Sequence, residues 1–589
     1  MKNHLVFLHA PSVYDFREKS ILYGPISDLV PSTPVFEMYP IGFTTLAAYL
    51  EQRGIRVRIL NLAVRMMQSK NYDVPSAIAK LHPKAFGIDL HWMPHVHGAI
   101  EVAWLVKKYH PDIPVIFGGF SATYFHEELI ARPEVDYVVR GDSTEEPMYQ
   151  LMRYLVEGTV DSARLRQISN LTWKDSDGRI QVNDQDYCPA ELDDLTLDYS
   201  YVVRSVVRNL DLFGALPFKE WGRYPIMAAL SCRGCACACR TCGGSVTAMK
   251  TMCKRDRPAF RSPENLARDV RNMSRWSRGP VFILGDICFG GPEYVQKFFS
   301  LIKGSTRKML LEVFKPAPAE FFRQLSAAVP EFILEMSPES HDEIVRTAFG
   351  RHYSNEELEL TIKRALDAGC GRFDLFFMIG LPKQTYQSVM ETIDYCAYLM
   401  KEFNVYGQKP RLFPFISPFA PFLDPGSEVF ANPEAFGFKL LRHTIDDHRE
   451  ALIQPSWKYV LNYETKWMDR DTIVAATYEA GLRMNRLKAR YELISKKQAQ
   501  NVEQRIKRAI ALSEQIDQIM QETDAAKRES LLQAIKAEVD RANLSTVCDK
   551  RELELPVGLL KMNLFELGHM VTGEWGRQLQ KRLVGFFSN

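Results

Sequence analysis

The chain has 589 residues, 46% of them hydrophobic and 25% charged, with a formal net charge of +2. At ~150 residues per domain this length predicts three or four domains of ordinary soluble composition. Near-neutral charge without a basic block argues against a nucleic-acid reader, and no apolar run reaches the ~20 residues of a transmembrane segment. The opening MKNHLVFLHAPS reads as a first β-strand and not as a cleaved leader, so a cytoplasmic setting with reduced thiols is expected.

From residue 4 to about 157, short apolar runs alternate with amphipathic segments. His4–His9, Val57–Leu60, Ala85–Leu90, Pro114–Gly119 and Asp136–Gly141 predict strands, being too short for helices, apolar on both faces and followed by loop residues. Ile41–Gly54 and Val96–His110 predict helices between them. Residues 1–157 are therefore expected to form an α/β domain, a five-stranded doubly wound parallel sheet that binds ligands at its carboxyl ends. Residues 158–222 read as a linker with a small β extension, because Asn170–Asp184 predicts a hairpin about Asp-Ser-Asp-Gly. Over residues 223–430 the runs IMAALS, VFILGD, LLEVF, FILEMS, FDLFFMIG and RLFPFIS predict a partial (β/α)6 barrel with its site at the strand carboxyl ends. Beyond that the strand signal fades. Val502, Ile506, Ile510, Ile516 and Met520 at near-helical spacing predict a mostly helical domain over 431–589. Within it, Lys466–Lys488 reads either as part of a substrate cover or as a plain amphipathic helix.

The stretch SCRGCACACRTCGGS (Ser231–Ser245) holds five of the eleven cysteines. Cys232/Cys235 and Cys239/Cys242 are C-x2-C pairs, but zinc knuckles normally lie a dozen or more residues apart, so a four-sulfur zinc site here is strained. The alternative is the single C-x3-C-x2-C triplet Cys235, Cys239 and Cys242. Three thiolates on a tight loop can hold three irons of a 4Fe–4S cube and leave the fourth open. Cys232 and Cys237 are then packing thiols, or one of them a proton donor or protective thiol. Cys188, Cys253, Cys288, Cys370, Cys396 and Cys548 show no ligand spacing.

This triplet, the preceding strand and the trailing Gly243-Gly244 resemble the radical S-adenosylmethionine (radical SAM) family. Cys235, Cys239 and Cys242 match the cluster ligands. Gly243, Gly244 and Ser245 stand where the family has Gly-Gly-Glu against the SAM amino group, with Ser245 departing from the pattern. FILEMSPES resembles the ribose-contacting strand, implicating Ser337 and Glu339, and FFMIGLPKQT resembles the segment bordering adenine, implicating Gly380. The sheet ahead of the barrel is similar to the cobalamin-binding class of the family, through Tyr39–Ala63, Val115–Thr123 and Tyr137–Met152. That likeness implies cobalamin contacts at Gly118, Gly119, Ser121 and Gly141. Asp89-x-His91 is similar to a motif that places histidine on cobalt, yet Gly98 stands too far downstream. His91, His95 and His97 are thus candidate pocket residues, and a scaffold that no longer binds cobalamin is the alternative.

The resemblance implies three cofactors: a 4Fe–4S cluster, SAM and cobalamin, the last as methylcobalamin. It implies cleavage of SAM to a 5′-deoxyadenosyl radical and methylation of an unactivated carbon, with flavodoxin or ferredoxin as electron donor. The rival readings are a radical carbon–carbon coupling or cyclisation enzyme and a non-catalytic sensor. Small-molecule, lipid and peptide side-chain substrates are all compatible. The aromatic run Arg411–Ser427 reads as a dry wall around a radical or as ordinary barrel packing.

Overall fold

A computed structural model describes residues 3–24, 33, 35–197, 199–223, 225–418, 423–543 and 562–587. The first sheet contains β1 (Leu5–His9), β2 (Val57–Asn61), β3 (Ala85–Asp89), β4 (Val115–Gly118) and β5 (Tyr137–Val139). These five are parallel in the order β2-β1-β3-β4-β5. Helices on both faces cover them, which is why β1 and β3 are buried along their whole length. Packing there is tight: the Phe7 ring stacks on Phe43 at 4.4 Å and fills the space beside Gly87. Strand order reverses between β1 and β3, and a doubly wound sheet takes its ligand at the carboxyl end of such a crevice.

The predicted β extension is part of this same sheet. Strands β6 (Leu171–Lys174) and β7 (Ile180–Val182) add antiparallel to β5 and make it seven-stranded. The turn between them is built by Asp175 Oδ1, which accepts from the Asp177 and Arg179 amides, and by Gly178 at φ +77°.

All six predicted barrel strands form. They are β8 (Met227–Leu230), β11 (Val281–Leu284), β12 (Lys308–Glu312), β13 (Glu331–Glu339), β14 (Arg372–Ile379) and β15 (Leu412–Pro418), parallel in the order β15-β14-β13-β12-β11-β8. Between β8 and β11 lies a small antiparallel pair, β9 (Cys232–Arg233) and β10 (Ala259–Phe260), which brackets the cysteine loop. The open barrel leaves β8 as an edge. The Tyr199 hydroxyl blocks it by donating to the Ala228 carbonyl and accepting from the Ala228 amide.

The C-terminal region is largely helical, with one short ribbon, β16 (Phe438–Leu440) against β17 (Tyr463–Thr465). Helix Arg470–Arg490 packs on β15 and on helix Tyr386–Phe403. Val502, Ile506 and Ile516 are buried on helix Lys496–Ile519, as their spacing predicted. Helix Ala525–Ala542 lies beside the loop after β1, where Asn543 caps the Ile21 carbonyl and the Tyr23 amide. Helix Leu564–Phe587 packs on Ser200–Asn209 and Pro263–Trp276. No helix among the described residues is long and apolar enough to cross a membrane.

Candidate active site

The cysteine loop leaves β8 and folds over the carboxyl ends of β13 and β14, where Cys239 packs with Val345, Phe349 and Leu381, and Cys237, Cys242 and Met378 lie against them. The amides of Cys237 and Gly244 point at the sulfurs of Cys235 and Cys242, 3.3 Å away in each case. The Cys237 thiol hydrogen-bonds to Cys235 and Cys239, and this bond is the main reason that both are drawn below the ordinary thiol range. Cys239 falls to about 6, with the Arg351 guanidinium assisting. Burial pushes Cys242 the other way, beside the Asp424 carboxylate. Cys237 is therefore more intimate with the triplet than a mere packing thiol, whereas Cys232 faces the cavity described below.

Among the described residues no three His, Cys, Asp or Glu side chains converge on one ion position. A four-iron cube spreads its sulfurs over separate irons and prefers thiolates with N–H donors. The triplet offers that donor set, so its residues fit a cluster. Gly350 makes the fold of the loop feasible: at φ +108°, a Cβ there would lie 2.2 Å from the Ala238 carbonyl oxygen.

Around the loop, Gly243 donates its amide to Asp424 Oδ2 at 2.9 Å, and burial lifts that carboxyl to about 6. Ser245 is buried and caps helix Val246–Cys253 through the Ala248 amide, so its side chain is committed to the helix. Ser337, half-buried, and Glu339, buried, lie at the end of β13. Glu339 has φ +70° just past a bulge, and it pairs with Arg351 at 3.4 Å. Burial raises the Glu339 carboxyl to about 8. Gly380, at φ +99°, starts a turn held by Gln384, whose carbonyl accepts from the Gly380 and Leu381 amides.

A cavity of about 480 Å³ lies between the carboxyl end of the first sheet and the barrel. Asp89, His91, Gly118, Gly119, Phe120 and Gly141 line one side; Leu230, Cys232, Phe282 and Leu284 line the other. Gly119 has φ +116°, and a Cβ on it would meet the His91 backbone at 2.6 Å. Gly118 presents open backbone to the cavity, and Phe120 and Trp92 ring the imidazole of His91. Mostly apolar walls with a glycine cradle suit a corrin, so this side too fits its expected group.

Ser121 does not reach this space, because it is buried with its hydroxyl donating to the His91 carbonyl. His95 and His97 also serve the fold: His95 Nε2 lies 2.9 Å from the Phe36 carbonyl, and His97 Nδ1 accepts from the Tyr14 amide. Burial lowers His91 to about 4, keeping its ring neutral. His9, which spacing did not single out, sits behind Asp89 with Nδ1 2.9 Å from Oδ1.

Two family models match the chain. The model for the B12 binding domain covers residues 29–148 and the radical SAM superfamily model covers 230–396. The chain carries a B12 binding domain followed by a radical SAM domain. That pair of domains supports an enzyme whose cofactors are cobalamin, SAM and a 4Fe–4S cluster. Among curated relatives, the chain is 24% identical over 184 residues to the cytidylyl-2-hydroxyethylphosphonate methyltransferase of Streptomyces wedmorensis, covering 27% of this chain. That match spans only 33% of the relative's length. Its fold is similar to that of TsrM from Kitasatospora setae with cobalamin and a [4Fe-4S] cluster bound, with a TM-score of 0.53 and 15% identity over 74% of this chain and 80% of that one. It is also similar to OxsB with aqua-cobalamin and S-adenosylmethionine bound, with a TM-score of 0.51 and 10% identity over 100% of this chain and 80% of that one.

One titration follows from the barrel interior. Glu312, at the end of β12, accepts from the Gly285 amide at 3.0 Å, and burial lifts its carboxyl to about 7 from the ordinary 4.5. The folded chain therefore keeps a proton that the unfolded chain has released. Stability from this group is full below pH 4.5 and is lost as pH rises toward 7. Glu312→Gln should flatten the pH dependence of the melting temperature between pH 5 and 7 and leave the variant more stable than wild type at pH 8. An unchanged slope by scanning fluorimetry would refute this assignment.

Proposed function

We propose that the protein is a cobalamin-dependent radical SAM methyltransferase acting on an unactivated carbon. The observation that carries this reading is the cavity between the glycine cradle of the first sheet and strands β8 and β11 of the barrel, which Cys232, Arg233 and Gly234 at the base of the cysteine loop also line. When bound, the cluster would supply reductive cleavage of SAM and cobalamin would supply a transferable methyl group. In this reading Cys235, Cys239 and Cys242 hold the cluster. Backbone at Gly243 and Gly244, with Ser337, Glu339 and Gly380, borders SAM. Gly118, Gly119 and Gly141 cradle the corrin with His91 at its edge. The apolar walls, Phe282 and Leu284 among them, would keep water from the corrin.

Radical carbon–carbon coupling or cyclisation without methyl transfer is the rival. The test is anaerobic incubation of the reconstituted protein with methyl-deuterated SAM, a reductant and candidate substrate pools. Label in a new product is the expected result. A product that is altered but unlabelled would sink methylation and favour coupling, and absence of 5′-deoxyadenosine would sink radical chemistry altogether.

A further inference from the structure

The turn that follows β5, Gly141–Glu145, receives two arginines from the base of the cysteine loop. Arg233, on β9 two residues before Cys235, bonds both oxygens of Glu145, through Nη2 at 2.5 Å and Nη1 at 2.8 Å. Arg255, just before β10, pairs with Asp142, Nη2 to Oδ1 at 3.1 Å. The Ser143 hydroxyl lies between them, accepting from Arg233 at 3.1 Å and from Arg255 at 3.2 Å. Exposure is 11% for the Arg233 side chain and 2% for Glu145, 3% for Arg255 and 4% for Asp142. Gly234 is shaped to this arrangement: at φ +86°, a Cβ on it would strike Arg255 Cδ at 2.6 Å.

Buried ion pairs are a poor way to gain stability, because desolvation offsets most of their attraction and apolar pairs of equal size do as well. Their strength is directional. Bidentate arginine–carboxylate forks fix orientation as well as distance. Here two forks share one serine, and both tie the start and the end of the cysteine loop to one turn of the first sheet's domain. That turn also lines the cavity. A rigid link at this place sets how far the cysteine loop stands from the glycine cradle.

We infer that Arg233–Glu145 and Arg255–Asp142 form a clamp that positions the cluster loop against the cobalamin-binding sheet, and so couples the two uses of SAM. The inference rests on the methyltransferase reading. That reading requires SAM to react in two ways. Transfer of its methyl from sulfonium to cob(I)alamin leaves S-adenosylhomocysteine. One-electron cleavage of its sulfur–C5′ bond leaves methionine and a radical that becomes 5′-deoxyadenosine on gaining a hydrogen atom. Only the first depends on the separation across the clamp, because the second needs the cluster and SAM alone. Arg233 and Arg255 are thus positioning residues, acting through the loop they anchor.

The test uses the full chain, reconstituted anaerobically with iron, sulfide and cobalamin, and supplied with SAM and a reductant. The readout is the ratio of S-adenosylhomocysteine to 5′-deoxyadenosine, read alongside bound iron and cobalamin, because loss of cobalamin alone would also lower it; a fall counts only in a variant that keeps both at the wild-type level. Two neutral pairs, Arg233→Met with Glu145→Gln and Arg255→Met with Asp142→Asn, avoid leaving a lone buried charge. A fall in the ratio of at least tenfold in either pair, restored in part by the swap Arg233→Glu with Glu145→Arg, is the expected result. An unchanged ratio overturns the clamp, and so does loss of the cluster or of cobalamin in both pairs and the swap, which would make the contact purely structural. If wild type makes no S-adenosylhomocysteine at all, the methyltransferase reading fails instead.

Discussion

Single replacement of Cys235, Cys239 or Cys242 by alanine is expected to strip the bound iron and cut 5′-deoxyadenosine formation by more than about 100-fold. The magnitude follows from ligand loss: even partners one shell further out typically cost 10–100-fold. Each sulfur of the triplet has its own role in the loop, with amides donated to Cys235 and Cys242 and the Cys237 thiol and Arg351 acting on Cys239. Cys232→Ala and Cys237→Ala are expected to keep the iron. Cys237 is the more searching control, because its thiol bonds both Cys235 and Cys239. If Cys237→Ala loses iron as completely as Cys239→Ala, the division of the five sulfurs into three ligands and two neighbours is wrong. Iron and sulfide assay with visible absorption spectra suffices for the reading.

The second large effect is expected at Gly119→Ala. A side chain at φ +116° carries roughly 1–3 kcal/mol of backbone strain. The new Cβ would also meet the His91 backbone, which cannot rotate away as a side-chain tip would. Relief requires the loops after β3 and β4 to part, and these form one wall of the cavity. Cobalamin retention should fall at least about tenfold, the change that 1.4 kcal/mol gives, while iron content stays at the wild-type level. Gly54→Ala is the matched control for strain alone: it is exposed at φ +85°, away from the cavity, with nothing within 4 Å of its Cβ. Equal losses of cobalamin from the two variants would show that backbone strain, and not the cradle, accounts for the effect.

Much of the architecture was legible because parallel strands buried on both faces leave continuous apolar runs. LVFLH, AFGID and MAAL announce themselves without any knowledge of their neighbours. The pairing of the hairpin Leu171–Val182 with β5 was not legible, since nothing local states which edge a hairpin joins. The site divides along the same line. The cysteine triplet lies in one short segment, so spacing alone isolates it. Asp424 and Gly350 act on that loop from 182 and 111 residues beyond Cys242 and Cys239, and only the folded chain brings them there. Ser121 misled for a related reason. Its place beside Gly118 and Gly119 is right for a ligand loop, but the helical turn at Phe120–Tyr124 rotates its hydroxyl onto the His91 carbonyl. The aromatic run Arg411–Ser427 is only partly within the described residues, where Phe415 stacks on Phe376 at 5.2 Å; residues 419–422 and Cys548 lie outside them.

The central claim is that cobalt sits in the cavity at the carboxyl end of the first sheet and iron on the cysteine loop whose base lines that cavity. Anomalous diffraction at the iron and cobalt edges, from crystals of the reconstituted protein, tests it directly. The account predicts an iron peak at Cys235, Cys239 and Cys242, and a cobalt peak in the cavity between Gly118–Gly119 and Leu284. A cobalt peak elsewhere on the chain, or iron held by Cys232 in place of a member of the triplet, would contradict it.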